Sequence, residues 1–108
     1  MKKEKITILT NEAKVLCLLY KEKLTRAEIA ERTGLDYSSV SYITLRLESL
    51  DLIRIAESKK IKKGPVEDVY QITEKGIREL KEALNRVWNY MEILLQLREE
   101  QTIAISTS

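Results

Sequence analysis

Hydrophobic positions along the chain change period twice, and each change marks an element boundary. Val15, Leu16, Leu18 and Leu19 form a broad stripe of helical period, which predicts a first helix from about Asn11 to Lys21 capped by Thr10. After a short Lys23-Leu24-Thr25 connection with room for a brief strand, Thr25 and Glu28 stand at capping-box spacing. They open a second helix whose inward face is small: Ala27, Ile29 and Ala30. Thr33-Gly34 ends it, because glycine tolerates the left-handed conformation of a helix C-cap. Asp36 then caps a third helix from Tyr37 to about Ser49, with Val40, Ile43, Leu47 and Leu50 on its buried side. Helix geometry sends Tyr37, Ser38, Ser41, Tyr42 and Leu45 to the opposite or flanking faces.

Beyond Asp51 the period becomes that of strands. Leu52 to Ser58 and Val66 to Ile72 read as an antiparallel hairpin. Its connector holds a Gly64-Pro65 pair and the lysines Lys59, Lys60, Lys62 and Lys63, so it is expected as a solvated loop outside the ladder. Thr73 caps a last helix running to about Glu100. Its apolar residues Ile77, Leu80, Leu84, Val87, Met91 and Leu94 keep 3-4-3-4-3 spacing, a heptad seam widened by Trp88 and Leu95. Gln101 to Ser108 is small and polar apart from Ile103 and Ala104-Ile105 and is expected as a flexible tail. The expected fold class is mainly α with a small β-hairpin. Residues 1–73 form the folded unit, 74–100 an association helix and 101–108 the tail.

Composition narrows the function. The chain has 108 residues, 44% of them hydrophobic, enough for one modest core but not for a deep catalytic cavity. It has no His and a single cysteine, so an intrachain disulfide, a thiol metal cluster and a histidine pH switch are ruled out. With no nucleophile–base pair and no glycine-rich phosphate loop, no enzyme and no cofactor are expected. Cys17 lies within an apolar run and is expected as a buried, inert thiol. No stretch reaches the roughly 20 apolar residues of a membrane span and no signal-peptide core follows Met1, so a cytoplasmic protein without membrane contact is expected. A net charge of +2 says little; the four lysines gathered in the connector say more.

Three passages then point to a family. They are Leu24-Thr25-Arg26-Ala27-Glu28-Ile29-Ala30 leading to Thr33-Gly34-Leu35; Ser39-Val40-Ser41 through Arg46-Leu47-Glu48 to Leu52-Ile53; and Tyr70-Gln71-Ile72-Thr73-Glu74-Lys75-Gly76-Ile77. In this order, over roughly Val15 to Leu80, they resemble the MarR-type and PadR-type transcription regulators and the small archaeal winged-helix proteins around them. The resemblance implies a winged helix-turn-helix domain with a C-terminal dimerisation helix. Asp51 stands where those families usually have Gly, so it must take the left-handed turn conformation itself.

The resemblance also implies a site. The third helix would enter the major groove of double-stranded DNA, with Tyr37, Ser38, Ser41 and Tyr42 facing bases or adjoining phosphates. Ser39 would offer its hydroxyl and N–H to a phosphate at the helix start. For Tyr37 and Tyr42 the alternative is packing against the second helix. Arg26, Arg46 and Arg54 are candidate phosphate contacts, with pairing to Glu48 or Asp51 the alternative for Arg46. Lys59, Lys60, Lys62 and Lys63 would form the wing tip. A homodimer through Ile77, Leu80, Leu84, Val87, Trp88, Met91, Leu94 and Leu95 would bind an inverted repeat, most simply as a repressor. A small-molecule effector beside Tyr20, Trp88, Tyr90 and Met91 has no support beyond the resemblance. Two other functions fit the same elements: a weakly specific chromatin-type DNA-coating protein, and a winged-helix adaptor for protein contacts.

Overall fold

The structure, a computed structural model, describes residues 8–60 and 64–107, with the side chains of residue 60 and of residues 101–107 left out of the description. Four helices and three strands follow one another as α1 (Asn11–Lys21), β1 (Leu24–Thr25), α2 (Arg26–Thr33), α3 (Tyr37–Ser49), β2 (Ile53–Lys60), β3 (Val66–Ile72) and α4 (Glu74–Thr107). The strands form one antiparallel sheet in the order β1-β3-β2, so the hairpin gains a third strand from the Leu24–Thr25 link.

Local chemistry sets the helix boundaries. Thr10 accepts the Ala13 N–H at the start of α1. The capping box of α2 is complete: Glu28 N–H donates to Thr25 Oγ1 at 3.2 Å and Thr25 N–H to Glu28 Oε1 at 2.9 Å. Gly34 ends α2 at φ +76°, and Asp51 follows α3 at φ +60°. Asp51 thus takes the conformation required of it in place of glycine.

Val15, Leu16 and Leu19 of α1, Leu24 of β1, Ile29 of α2, Val40, Ile43 and Leu47 of α3, Ile53 of β2 and Tyr70 of β3 make one core. Three expected inward positions differ. Cys17 is exposed, because α1 turns only Val15, Leu16 and Leu19 fully inward and Cys17 lies between them on the outer side. Ala27 is also exposed, leaving Ile29 as the buried residue of α2. Leu50 falls past the end of α3 and is exposed, while Thr44 completes the buried stripe with Val40, Ile43 and Leu47.

Strand and helix ends also run further than expected. Lys59 and Lys60 belong to the ladder, opposite Glu67 and Val66, and Ala56 sits at an irregularity between Ile55 and Glu57. Opposite charges facing across the strands make Lys59 and Glu67 a favourable ladder pair. The last helix continues to Thr107 rather than stopping near Glu100, since residues 101–107 contain neither Gly nor Pro to break it.

The root of α4 is fixed to the end of α3. Thr73 N–H donates to Leu52 O at 3.0 Å, Thr73 Oγ1 to Asp51 O at 2.6 Å and Lys75 Nζ to Leu50 O at 3.0 Å. Three consecutive carbonyls of the α3–β2 turn are therefore held by the α4 start. Gly76 is buried against the same turn, and a methyl group there would overlap Leu52 O. Among the described residues no helix is long and apolar enough to cross a membrane.

Candidate nucleic-acid interface

The outer face of α3 is held open. Tyr37 and Tyr42 are 53% and 63% exposed, so neither packs away against α2. Ser38 is exposed beside them, Ser41 half-buried, and Leu45 adds an exposed apolar position. Ser38, Ser39 and Tyr42 also line an open groove of about 380 Å³ with Asn11 and Glu12, so the polar face continues onto the start of α1.

Asp36 organises the beginning of this helix differently from a simple cap. Its backbone is at the N-cap, but its side chain makes no capping bond to the helix backbone. Instead its two carboxylate oxygens accept the hydroxyls of Ser38 and Ser39, each at 2.5 Å. Those hydroxyl bonds hold the Asp36 carboxyl below its ordinary value of 3.8. In the free chain the Ser39 hydroxyl proton is committed to Asp36 and Ser39 is half-buried, so its contact with a phosphate would require that bond to be exchanged.

Arg26 is likewise turned inward. Its Nε donates to Thr44 Oγ1 at 2.8 Å and its guanidinium lies 5.3 Å from the centroid of the Tyr70 ring. Buried Thr44 donates its own hydroxyl proton to Val40 O at 2.9 Å, so its oxygen both accepts from Arg26 and donates to the α3 backbone. Burial pushes the Tyr70 phenol above its ordinary 10.0, while the Arg26 charge pulls the other way. The node joins α2, α3 and β3, and Thr44 escaped sequence reasoning because a polar residue on an apolar stripe gives no periodic signal.

Between α3 and the hairpin runs a cleft of about 240 Å³ lined by Arg26, Tyr37, Pro65, Val66, Glu67, Asp68 and Tyr70. Its strand side is acidic. Asp68 accepts the Ser58 hydroxyl at 3.1 Å, and one oxygen of Glu67 is buried with no hydrogen-bond partner among the described residues. A phosphate would meet repulsion in the cleft. Exposed positive charge on the hairpin lies on either side of this acidic stretch, at Arg54 near its base and at Lys59 toward its tip. Lys59 is exposed there and Lys60 closes the ladder, but the Lys60 side chain, Lys62 and Lys63 lie outside the described residues.

The remaining arginines stand apart. Arg46 is exposed at the far end of α3, and among the described residues the ion pair is between Arg32 and Glu22, not between Arg46 and Glu48 or Asp51. Arg54 is exposed on β2 opposite Gln71, whose carboxamide oxygen in its hydrogen-bonding orientation accepts from the guanidinium. The fold thus groups Tyr37, Ser38, Ser41 and Tyr42 on one face, ties half-buried Arg26 to Thr44 and Tyr70 behind it, and spreads Arg46, Arg54 and Lys59 around the rim. Groups of His, Cys, Asp or Glu able to hold a metal ion are absent among the described residues.

Residues 10–54, covering α1 to the start of β2, match the family described as winged helix-turn-helix DNA-binding. No curated protein matches the chain in sequence. Solved structures share the fold. A PadR family transcription regulator from Clostridium difficile R20291 is 20% identical, with 81% of this chain and 96% of that one covered and a TM-score of 0.67. A PadR-like transcriptional regulator from Bacillus cereus is 26% identical over 79% of this chain and 90% of its own, with a TM-score of 0.60. Bacillus subtilis PadR, solved in complex with operator DNA, is 18% identical over 68% of this chain and 45% of its own, with a TM-score of 0.62. The chain has the winged helix-turn-helix fold, and its residues 10–54 are similar to the family described as winged helix-turn-helix DNA-binding.

Proposed function

We propose that the chain is a transcription regulator that binds duplex DNA as a homodimer through α3 and represses from an inverted-repeat site. The observation that carries the proposal is the exposed Tyr37–Tyr42 face of a helix fixed at both ends, inside a domain of a DNA-binding family. Hydroxyl-rich side chains make few bidentate base contacts, so moderate sequence specificity aided by DNA shape follows. Arg46, Arg54 and the wing lysines supply the phosphate contacts at the rim. Dimerisation rests on α4, whose Leu84, Val87, Trp88 and Leu95 are exposed in the single chain although they belong to one heptad seam. A two-fold pair would set the recognition helices about one DNA turn, ~34 Å, apart.

Gel-shift titration on a selected inverted-repeat duplex and on random duplexes, each at two salt concentrations, tests this reading. A tight complex on one site that resists competitor DNA is expected. Equal affinity for all duplexes would favour a DNA-coating protein, and no binding at low salt would favour an adaptor.

A further inference from the structure

The net charge of the chain is not spread over it. Residues 1–9 hold three lysines and one glutamate, Lys2, Lys3, Lys5 and Glu4, which account for the whole of the +2. Of 19 basic and 17 acidic residues, sixteen of each remain from Thr10 onward, so the rest of the chain is neutral. A neutral body offers a polyanion no net attraction at long range.

The fold decides where that charge is tethered. α1 begins against the edge of the recognition face: Asn11 and Glu12 of its first turn share the open groove of about 380 Å³ with Ser38, Ser39 and Tyr42. Ahead of it Ile8 and Leu9 are 69% and 48% exposed, so the chain enters α1 from the solvent side. Lys14, three positions after Asn11 and therefore beside it on the helix surface, is exposed as well. Lys2, Lys3 and Lys5 lie outside the described residues, but their tether is short. The five to eight residues before Thr10 reach at most about 17–28 Å, more than the ~12 Å width of a major groove.

This flank of the recognition helix otherwise lacks positive charge. The Tyr37–Tyr42 face carries no cation, Arg26 is tied to Thr44 and Tyr70, and the cleft on the hairpin side holds Glu67 and Asp68. Arg54 and Lys59 belong to the hairpin. On the α1 side the groove itself contributes Glu12 and, among the described residues, no cation.

Resting on the DNA binding proposed above, we infer that residues 1–9 are a DNA-binding arm. Lys2, Lys3 and Lys5, with Lys14 at the root, contact the phosphates that border the major groove on the α1 side of α3. Arg54 and the wing lysines hold the opposite side, so the duplex is gripped across the recognition helix. Backbone contacts carry no sequence information, so the arm adds affinity for every duplex alike and leaves the choice of sequence to α3.

Fluorescence anisotropy over a series of salt concentrations, on the selected inverted-repeat duplex and on a random one, tests the arm. Lys2→Gln/Lys3→Gln/Lys5→Gln is expected to make the plot of log affinity against log salt about 2.7 less steep, at about 0.9 per phosphate contact, and to bind both duplexes at least about tenfold more weakly at ~0.1 M salt. Lys14→Gln is expected to lower the slope by about 0.9. Lys81→Gln is the control: with Tyr20, Ile77, Leu80 and Leu84 this lysine lines the groove between α1 and α4, toward the other end of α1, and its slope is expected to stay parental. The arm lysines precede Val15, the first residue of the core, so thermal unfolding of the triple variant is expected to match the parent. A triple variant with the parent's slope and affinity would overturn the arm and leave DNA binding standing. So would a Lys81→Gln loss as large as that of Lys14→Gln, since net charge alone would then set the slope. A parent chain that binds neither duplex at low salt would overturn the DNA-binding reading itself, and the arm with it.

Discussion

Asp36 and Arg26 are the two charged side chains whose partners matter most to the recognition helix, and in both cases the partner is internal. The Asp36 carboxylate holds the hydroxyls of Ser38 and Ser39, and its folded value lies below the ordinary 3.8. A carboxyl with a lowered folded value contributes stability that is complete above its unfolded value and is lost as pH falls through the folded one. Asp36→Asn is therefore expected to be less stable than the parent at neutral pH and to converge with it below pH 3.8, followed by thermal unfolding across the acid range. A gap that persists unchanged in acid would remove the carboxylate from the account. Arg26 ties buried Thr44 and the Tyr70 ring together. Losing a charged hydrogen bond and a ring contact makes Arg26→Ala about 2 kcal/mol less stable in denaturant titration. Its salt dependence of DNA binding should stay that of the parent, whereas loss of a phosphate contact would lower the slope by about 0.9. The residue types were readable from the chain, but their partners were not: the Arg26–Thr44 bond spans 18 positions.

At the scale of elements, legibility followed the range of the forces involved. The starts of α1 and α2 and the Gly34 and Asp51 turns could be read because their caps act within three or four residues, and α3 starts at Tyr37 although the Asp36 carboxylate holds Ser38 and Ser39 instead of capping the backbone. Features set at long range were not readable. Lys59 and Lys60 join the ladder because β3 lies opposite them, and Cys17 faces outward because the core takes the neighbouring positions. The face of α3 came through because helical period alone separates Tyr37 and Tyr42 from Val40 and Ile43. The joint between α3 and α4 is also a long-range feature, and Gly76 is its tightest point. Alanine there overpacks against the Leu52 carbonyl at a cost of about 2 kcal/mol, offset by roughly 1 kcal/mol of helix propensity. Gly76→Ala is thus expected to lower stability by about 1 kcal/mol in a urea titration. At Gly34 a methyl meets nothing within 4 Å, and only the positive φ opposes alanine. An equally stable Gly76→Ala would mean that the turn yields freely and that the joint does not fix the direction of α4.

On the scale of the whole molecule, α4 decides what the proposed DNA-reading domain can do. Its 34 residues span roughly 51 Å at 1.5 Å each, close to the 55 Å longest dimension of the chain. Its root is clamped to the α3–β2 turn, so the direction of the helix and the position of the recognition face are set together. Joining two such helices would make binding of the second half-site intramolecular, which raises affinity by on the order of a hundredfold or more without any new DNA contact. Leu84 tests that link because it lines the groove between α1 and α4 yet is 47% exposed in the single chain, so a charge there leaves the domain folded. In the dimer the same charge would be buried without a partner, and association would be lost. Leu84→Glu is expected to sediment as a monomer with parental helix content by circular dichroism. Its affinity for a duplex carrying one half-site should equal the parent's, while its affinity for the inverted repeat falls about a hundredfold. A Leu84→Glu chain that remains dimeric in sedimentation would remove this face of α4 from the interface, whatever its affinity for DNA.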